Sequence, residues 1–482
     1  MGIYRYTASV DNTITNAYAS NLKTRGTGSN MGASDILEIF SIYAQASTSS
    51  LEKSRVLIDF PITEIINDRT EGKIPQSGNV NFYLRLFNAK HSQTLPKDYK
   101  LVVAPISREW QEGSGLDMEE YTDLGYSNWV VAMSNSSGIT NWSSEGGDYL
   151  MASPHVYEQH FEKGTEDLFV DVTSLAEEWI AGNIDKNGFG VFLSSSYEDG
   201  SFDRSYYTKK FFGRGTEFFF KRPLIEARWD SSERDDAVNF FRSSSLAPAA
   251  DNLNTLYFYN NIRGQKVNVP SVGTGPIYLS LYSSLGSGPL GLPSGGGVVA
   301  AGDTNATGSH VETGMYKVSL AYTSSGDTIY PVWHDGTNQL LTGSVIEVKD
   351  FKDYHANFSG PFHVSLANLK PAYSRDETAT IRLFVRERDW SPTIYTKAKK
   401  EPEGVIVEDI YFKINRVIDN YEVIGYGTGS DNHTLLSYDK DGSYFNLDMN
   451  LLEKDYLYEM ALLFKINGNF EEQEQKFKFR VE

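Results

Sequence analysis

Apolar residues recur along most of this chain at every second position, in runs of strand length. The stretches at 54–62 (SRVLIDFPI), 80–90 (VNFYLRLFNAK), 99–106 (YKLVVAPI) and 187–196 (NGFGVFLSSS) alternate or cluster apolar residues between Gly, Asn and Ser punctuation. At 222–229 Leu224, Glu226 and Arg228 alternate with Ile225, Ala227 and Trp229. These runs predict the core strands of a sandwich. One segment breaks the rhythm. In DVTSLAEEWIAGN (171–183) Val172, Leu175, Ala176, Trp179 and Ile180 repeat at helical spacing. Ser174 followed by Glu177 fits a capping box, and Gly182 suits the C-terminal end. The pattern therefore predicts one short helix among strands.

Beyond residue 230 the alternation stops. Residues 231–253 are charged, then small and polar, and predict a linker or a docking arm, with Phe240 and Phe241 as its apolar contacts. A second block, 254–350, resumes with TLYFYNNI and PIYLSLYSS, followed by a glycine-rich stretch at 285–309 that reads as a long loop. A series of hairpins is expected after it, with turns at SSGD and HDGTN; Asp335-Gly336 is the strongest hairpin signal in the chain. A third block, 360–482, carries seven strand candidates, the last of them, QKFKFRVE, expected to be tied into a sheet. The predicted fold class is all-β. A jelly-roll-like sandwich over 1–230, with its one short helix, is followed by two immunoglobulin-like sandwiches.

Composition agrees with strands and narrows the chemistry. The 30 Tyr and 27 Phe residues favour half-buried sheets. There is no cysteine, which excludes disulfides, thiolate zinc sites and thiol nucleophiles. The formal net charge of −19 disfavours nucleic acid as a partner, because phosphate binding relies on clustered Lys and Arg. No apolar run reaches the ~18 residues of a spanning helix, and the first residues lack the basic start and apolar core of an export signal. These features predict synthesis in the cytoplasm and no membrane partner.

The candidate sites are few. His155 with His160, and His355 with His363, do not have the spacing of a zinc pair on a helix. The acidic run at 109–123, with Glu109, Glu112, Asp117, Glu119, Glu120 and Asp123, reads as a solvated loop, as a source of ligands for a structural calcium ion (Glu112, Asp117 and Glu119) or as a carboxylate pair for glycoside hydrolysis. DKDG (439–442) opens like a calcium loop but lacks the later Glu. Trp110, Trp129 and Trp142, with Tyr121 and Tyr126, sit in or beside loops, where flat rings serve either a sugar platform or the core. In FFGRGTEFFFKRP, if Phe218 and Phe220 face inward as strand residues, Phe219, beside Arg222, points to the opposite face, as an assembly surface or under a second sheet. No catalytic residue set and no cofactor site emerges.

The order of several segments in the first block resembles the DNRLRE domain family of sandwich modules. DNTITNAY, SNMGASDILEI, SRVLIDFPI and NFYLRLFN come first; SREWQEGSGLDMEEYTDLGYSNW and ITNWSSEGGDY follow. FVDVTSLAEEWIAGNIDKNGFGVFL and KKFFGRGTEFFFKRPLIEARW close the block. The resemblance implies that the helix caps the sandwich, with Trp179 as its anchor. The three-block arrangement as a whole resembles structural proteins of tailed bacteriophage particles. That implies a non-enzymatic virion component that joins or decorates particle parts; three stacked modules suit an elongated connector, which favours the neck or tail over the capsid surface. Its partners would be other virion proteins and copies of itself. The alternative is an adhesion module that recognises a host or matrix glycan.

Overall fold

Strands dominate the observed architecture, and the chain is all-β. The computed structural model describes every residue except 44–50, 92–94, 117–119, 137, 153, 199–204, 296, 298–302, 351–361 and 389–403. The chain divides into two units: Gly2–Asp230 with Thr428–His433, and Ser231–Gly427 with Thr434–Glu482.

The first unit contains β1 (Ile3–Thr7), β2 (Val10–Thr15), β3 (Ile36–Tyr43), β4 (Leu51–Asp59), α1 (Ile62–Thr70), β5 (Asn81–Leu86) and β6 (Tyr99–Pro105). It continues with β7 (Val131–Asn135), β8 (Gly138–Asn141), β9 (Tyr157–Phe161), β10 (Leu168–Asp171), α2 (Thr173–Ala181), β11 (Phe189–Leu193), β12 (Ser205–Phe212) and β13 (Leu224–Arg228). One sheet runs β1-β13-β5-β10; the larger one runs β12-β3-β4-β11-β6-β9, with β2 also on β4. Alternation places Phe82, Leu84, Ile225 and Ala227 of the first sheet in one fully buried cluster with Val56, Ile58, Leu101, Val103 and Val191 of the second. This is the sandwich core that the period-two pattern predicts.

Helix α2 completes that core. Trp179 is fully buried, its ring 4.7 Å from Phe189 in an edge contact. The helix ends as predicted: Gly182 takes a φ of 77°, a region open to glycine, and the Asn183 amide reaches the Glu178 carbonyl. The start differs from the expected capping box. Asp171 Oδ1 accepts from the Thr173 amide at 2.9 Å, while Thr173 Oγ1 accepts from the Phe82 amide at 2.8 Å. Ser174 bonds instead to Tyr157 and His155, and Glu177 makes a two-point ion pair with Arg69 at 2.7 Å per contact. Arg69 belongs to α1, a second helix of nine residues that the apolar pattern does not reveal. Its Ile62 and Ile65 are buried three positions apart, but the segment directly follows the run at 54–62 and has no side-chain cap at Pro61.

The second unit opens with residues 231–253, which pack into it. Phe240 is fully buried in the core of the following sandwich, 5.8 Å from the Tyr322 ring, and the Arg242 amide donates to the Lys349 carbonyl at 2.9 Å. The strands that follow are β14 (Asn254–Tyr259), β15 (Asn261–Ile262), β16 (Gln265–Lys266), β17 (Ile277–Tyr282), β18 (Ala306–Glu312), β19 (Met315–Leu320), β20 (Thr328–His334), β21 (Gln339–Thr342) and β22 (Ile346–Glu347). Their main sheet runs β14-β19-β18-β17-β20-β21, with β22 on β20. Two expectations need correction here. The glycine-rich stretch yields to strand from Ala306, because β18 pairs first with β17 and then with β19. Gly308 is required there: a Cβ would lie 2.5 Å from the Lys317 carbonyl oxygen. The SSGD segment does not close a hairpin, since β19 pairs with β14 and β18 and not with β20. The Asp335-Gly336 hairpin does form, joining β20 to β21, and Asp335 Oδ1 accepts from the amides of Thr337 and Asn338.

The remaining strands are β23 (Phe362–Leu366), β24 (Ala372–Tyr373), β25 (Thr378–Glu387), β26 (Ile410–Arg416), β27 (Tyr421–Ile424), β28 (Ser437–Asp439), β29 (Gly442–Asp448), β30 (Leu457–Ile466), β31 (Asn469–Glu472) and β32 (Phe477–Val481). They form sheets β23-β25-β29-β28 and β24-β32-β30-β26-β27, with β31 on β30. All seven strand candidates of 360–482 are present. The closing strand β32 lies inside its sheet, between β24 and β30, as the sequence predicts.

Candidate functional site

One cluster of buried charge in the first unit lies on a face of its four-stranded sheet. Alternation along β13 turns Ile225 and Ala227 inward and Glu226 to the opposite face, where its side chain is fully buried. Register sets Arg5 of β1 and Tyr83 of β5 directly beside Glu226. Arg5 Nε lies 2.7 Å from its carboxylate, Arg228 2.5 Å and Arg85 3.3 Å. Burial alone would raise this carboxyl group's pKa; the guanidiniums of Arg5, Arg85 and Arg228 outweigh it and hold the group far below the ordinary range. Arg228 and Arg85 also sit over the Phe169 ring, which stacks on Tyr83 with centroids 5.0 Å apart. This array is an ion cluster in which the single carboxylate is fully compensated and the arginines are in excess.

The tryptophans of the loop region do a related job. Trp129 and Trp142 are 3% and 6% exposed, packed with Ile14, Leu57, Ile106 and Ala132, and Trp110 packs against them. Trp142 Nε1 donates to the Asn128 carbonyl and Trp110 Nε1 to the Asn187 carbonyl. A sugar platform needs open ring faces, so Trp129 and Trp142 do not provide one; they anchor the loop segments that carry them to the sandwich. Arg55 reinforces the anchor through Glu198 and the Gly146 carbonyl.

Glu112 is likewise committed. Its Oε1 accepts from Arg214 at 2.7 Å and from the Asp11 amide at 3.1 Å, which neutralises the charge a calcium ion would need. Asp117 and Glu119 lie outside the described residues. Among the described residues no cluster of three His, Asp or Glu side chains is arranged to hold a metal ion. His160 pairs with Asp98, and His155 contacts Ser174; His355 lies outside the described residues. Asp439 of the DKDG turn is held at two points by Arg382.

The aromatic run at 211–223 differs from the strand expected there. Phe219–Lys221 form a 3₁₀ turn, so the side chains do not alternate. Phe220 is buried, Phe219 half-buried, and Phe218 is the exposed one at 51%, edge-on to Phe212 at 5.4 Å. Arg222 is half-buried, its Nε donating to the Thr216 carbonyl.

One feature is absent from the sequence-based candidates. A cleft of about 480 Å³ lies beside the C-terminal end of α2, lined by Ser107, Glu109, Gly182, Ile184, Asp185, Lys186 and Asn187. Its lining comes from two loops about 75 residues apart, and only the fold brings them together.

No family model matches the chain, and no curated protein matches it. Among solved structures it is similar to the adhesin InvE of Yersinia pseudotuberculosis, at 13% identity over 48% of this chain and 55% of the adhesin, with a TM-score of 0.15. A marsupial T cell receptor matches at 11% identity over 48% of this chain and 68% of the receptor, TM-score 0.16. A Salmonella alpha-2-macroglobulin reacted with methylamine matches at 8% identity over 100% of this chain and 26% of its own length, TM-score 0.16. This chain spans about half the length of the adhesin and about a quarter of the macroglobulin.

Proposed function

We propose that this chain is a non-enzymatic structural protein of a bacteriophage particle. It joins or decorates particle components, at the neck or tail rather than the capsid surface, through contacts with other virion proteins and with copies of itself. The observation that carries this reading is the use the first unit makes of its chemistry-bearing side chains. Glu226 is neutralised by three arginines, Glu112 by Arg214, and Glu198 by Arg55; Trp129, Trp142 and Trp179 are core anchors. These groups, each of a type that could act on a substrate, are spent on rigidity, which is what a load-bearing particle component requires. The DNRLRE-like order of segments in the first block supports the same role.

Protein mass spectrometry of gradient-purified particles from the source lysate tests the proposal. Peptides of this chain at constant stoichiometry with a known head or tail protein support it. Their removal by a high-salt wash that leaves the particles intact counts against it.

A second reading, recognition of a glycan, is favoured by one observation. The cleft beside α2 is lined by Glu109, Asp185 and Lys186, whose side chains have no ion-pair or hydrogen-bonding side-chain partner among the described residues.

A further inference from the structure

Seven arginines of the first unit are committed to carboxylates: Arg5, Arg85 and Arg228 to Glu226, Arg55 to Glu198, Arg69 to Glu177, Arg108 to Asp148 and Arg214 to Glu112. Against that background the cleft beside α2 is different. Glu109, Asp185 and Lys186 all line it, all are exposed, and among the described residues none of the three has an ion-pair or hydrogen-bonding side-chain partner. Ser107 and Asn187 add a hydroxyl and a carboxamide, and Ile184, packed against the main core, adds apolar surface.

The walls of the cleft are fixed to each other. Trp110 Nε1 donates to the Asn187 carbonyl at 2.9 Å, the Ile106 amide to the Gly188 carbonyl at 3.0 Å, and Asn187 Nδ2 to the Ile106 carbonyl at 3.4 Å. On the far side Asn183 is held to Glu178 through both its amide and its side chain. A site built this way does not have to be ordered when a ligand arrives, so little of the contact energy is lost to ordering.

The chemistry of the lining selects the ligand class. A metal ion needs oxygen donors without a competing ammonium, and Lys186 opposes one here. An anion is opposed by two carboxylates and by the negative end of α2 at Gly182. A neutral polyhydroxyl ligand needs acceptors and donors in the same place, because each hydroxyl both donates and accepts. The cleft offers both kinds, at a volume within the usual range for small-ligand sites. We propose that this cleft binds a neutral sugar unit, with the carboxylates of Glu109 and Asp185 accepting from ring hydroxyls and Lys186 and Ser107 donating. Ile184 packs on the sugar's C–H face. This inference does not depend on the particle reading, although repeated copies on one particle would multiply a weak single-site affinity through effective concentration.

The test uses the whole chain and ligand-observed saturation-transfer NMR. Glucose, galactose, mannose, N-acetylglucosamine and their β- and α-linked disaccharides serve as probes, at concentrations up to tens of millimolar. At least one neutral probe binds, and Glu109→Gln and Asp185→Asn each weaken it by about tenfold, since each replaces an acceptor oxygen with a donor. Both residues are exposed, so circular dichroism and melting temperature stay unchanged in the variants. Absence of a signal from every probe, or binding that survives both substitutions, overturns the proposal. So does a calcium-dependent rise in melting temperature that both substitutions abolish, without sugar binding, which would make the cleft a cation site. Failure of this test leaves the particle reading standing, because that reading is checked by mass spectrometry on particles.

Discussion

Arg5 Nε and Glu226 Oε2 lie 2.7 Å apart, although 221 positions separate the two residues in the chain. The pair joins the first strand of the N-terminal unit to its last, β1 to β13, and Glu226 has no exposed side-chain surface. Three guanidiniums around one buried carboxylate leave no cheap way to remove that carboxylate.

Glu226→Gln therefore destabilises the first unit by about 3–5 kcal/mol, the usual cost of breaking a buried pair from one side. The substitution also changes the acid response. The folded-state pKa of Glu226 is depressed, so its contribution is present above the unfolded value of about 4.3 and is lost as pH falls below it. Urea midpoints measured from neutral to strongly acid pH fall steeply for the native chain and less steeply for the variant. Parallel curves would contradict the assignment.

Lys209 gives the opposite window. It is fully buried in the first unit, with Nζ donating to Asn88 Oδ1, the Gly164 carbonyl and the Glu166 carbonyl at 2.6–2.9 Å. Burial lowers its pKa to about 8, against the pull of Asp167 and Glu166. Between about pH 8 and its unfolded value of about 10.4 the unfolded chain holds more protons, so this group's contribution to stability rises with pH across that window. Lys209→Met removes that rise and, by orphaning three acceptors, lowers the melting temperature at pH 7. Thermal unfolding at pH 7, 8 and 9.5 checks both effects.

Trp179→Ala removes a fully buried indole from the contact with Phe189 and costs about 3–5 kcal/mol, as large core truncations do. Trp179→Phe retains part of that packing and costs less. Denaturant titration of the two variants ranks them; equal effects would deny the anchor role.

The sequence resolves the period-two core of both units because burial there depends on which side of a strand a residue faces, and that is local. It resolves the end of α2 for the same reason, since Gly182 alone sets the turn. Ser174 and Glu177 mislead because their spacing fits a capping box, while the fold gives Ser174 to Tyr157 and His155, and Glu177 to Arg69. Those partners lie 17 to 108 positions away. Helix α1 is hidden by the strand it follows. Trp129 and Trp142 read as platform or, more commonly for tryptophans of sandwiches, as core, and only their contacts decide between the two. The cleft beside α2 has no sequence signature, because its two walls meet only after the sandwich closes.

The one large exposed aromatic of the 211–223 run, Phe218, provides a handle on assembly. Phe218→Ser leaves the melting temperature unchanged and lowers incorporation into particles several-fold, if the run forms a contact there. Quantitative immunoblots of particles rescued with native or variant chain measure it; full incorporation of the variant would move the contact elsewhere on the surface.

The central claim is that the chain is a built-in part of a particle, and immunogold electron microscopy of purified particles, with antibody raised to the recombinant chain, tests it most directly. The account predicts label at one fixed position on each particle, at the neck or tail. Unlabelled particles, with the antigen recovered only in the soluble fraction, would contradict it.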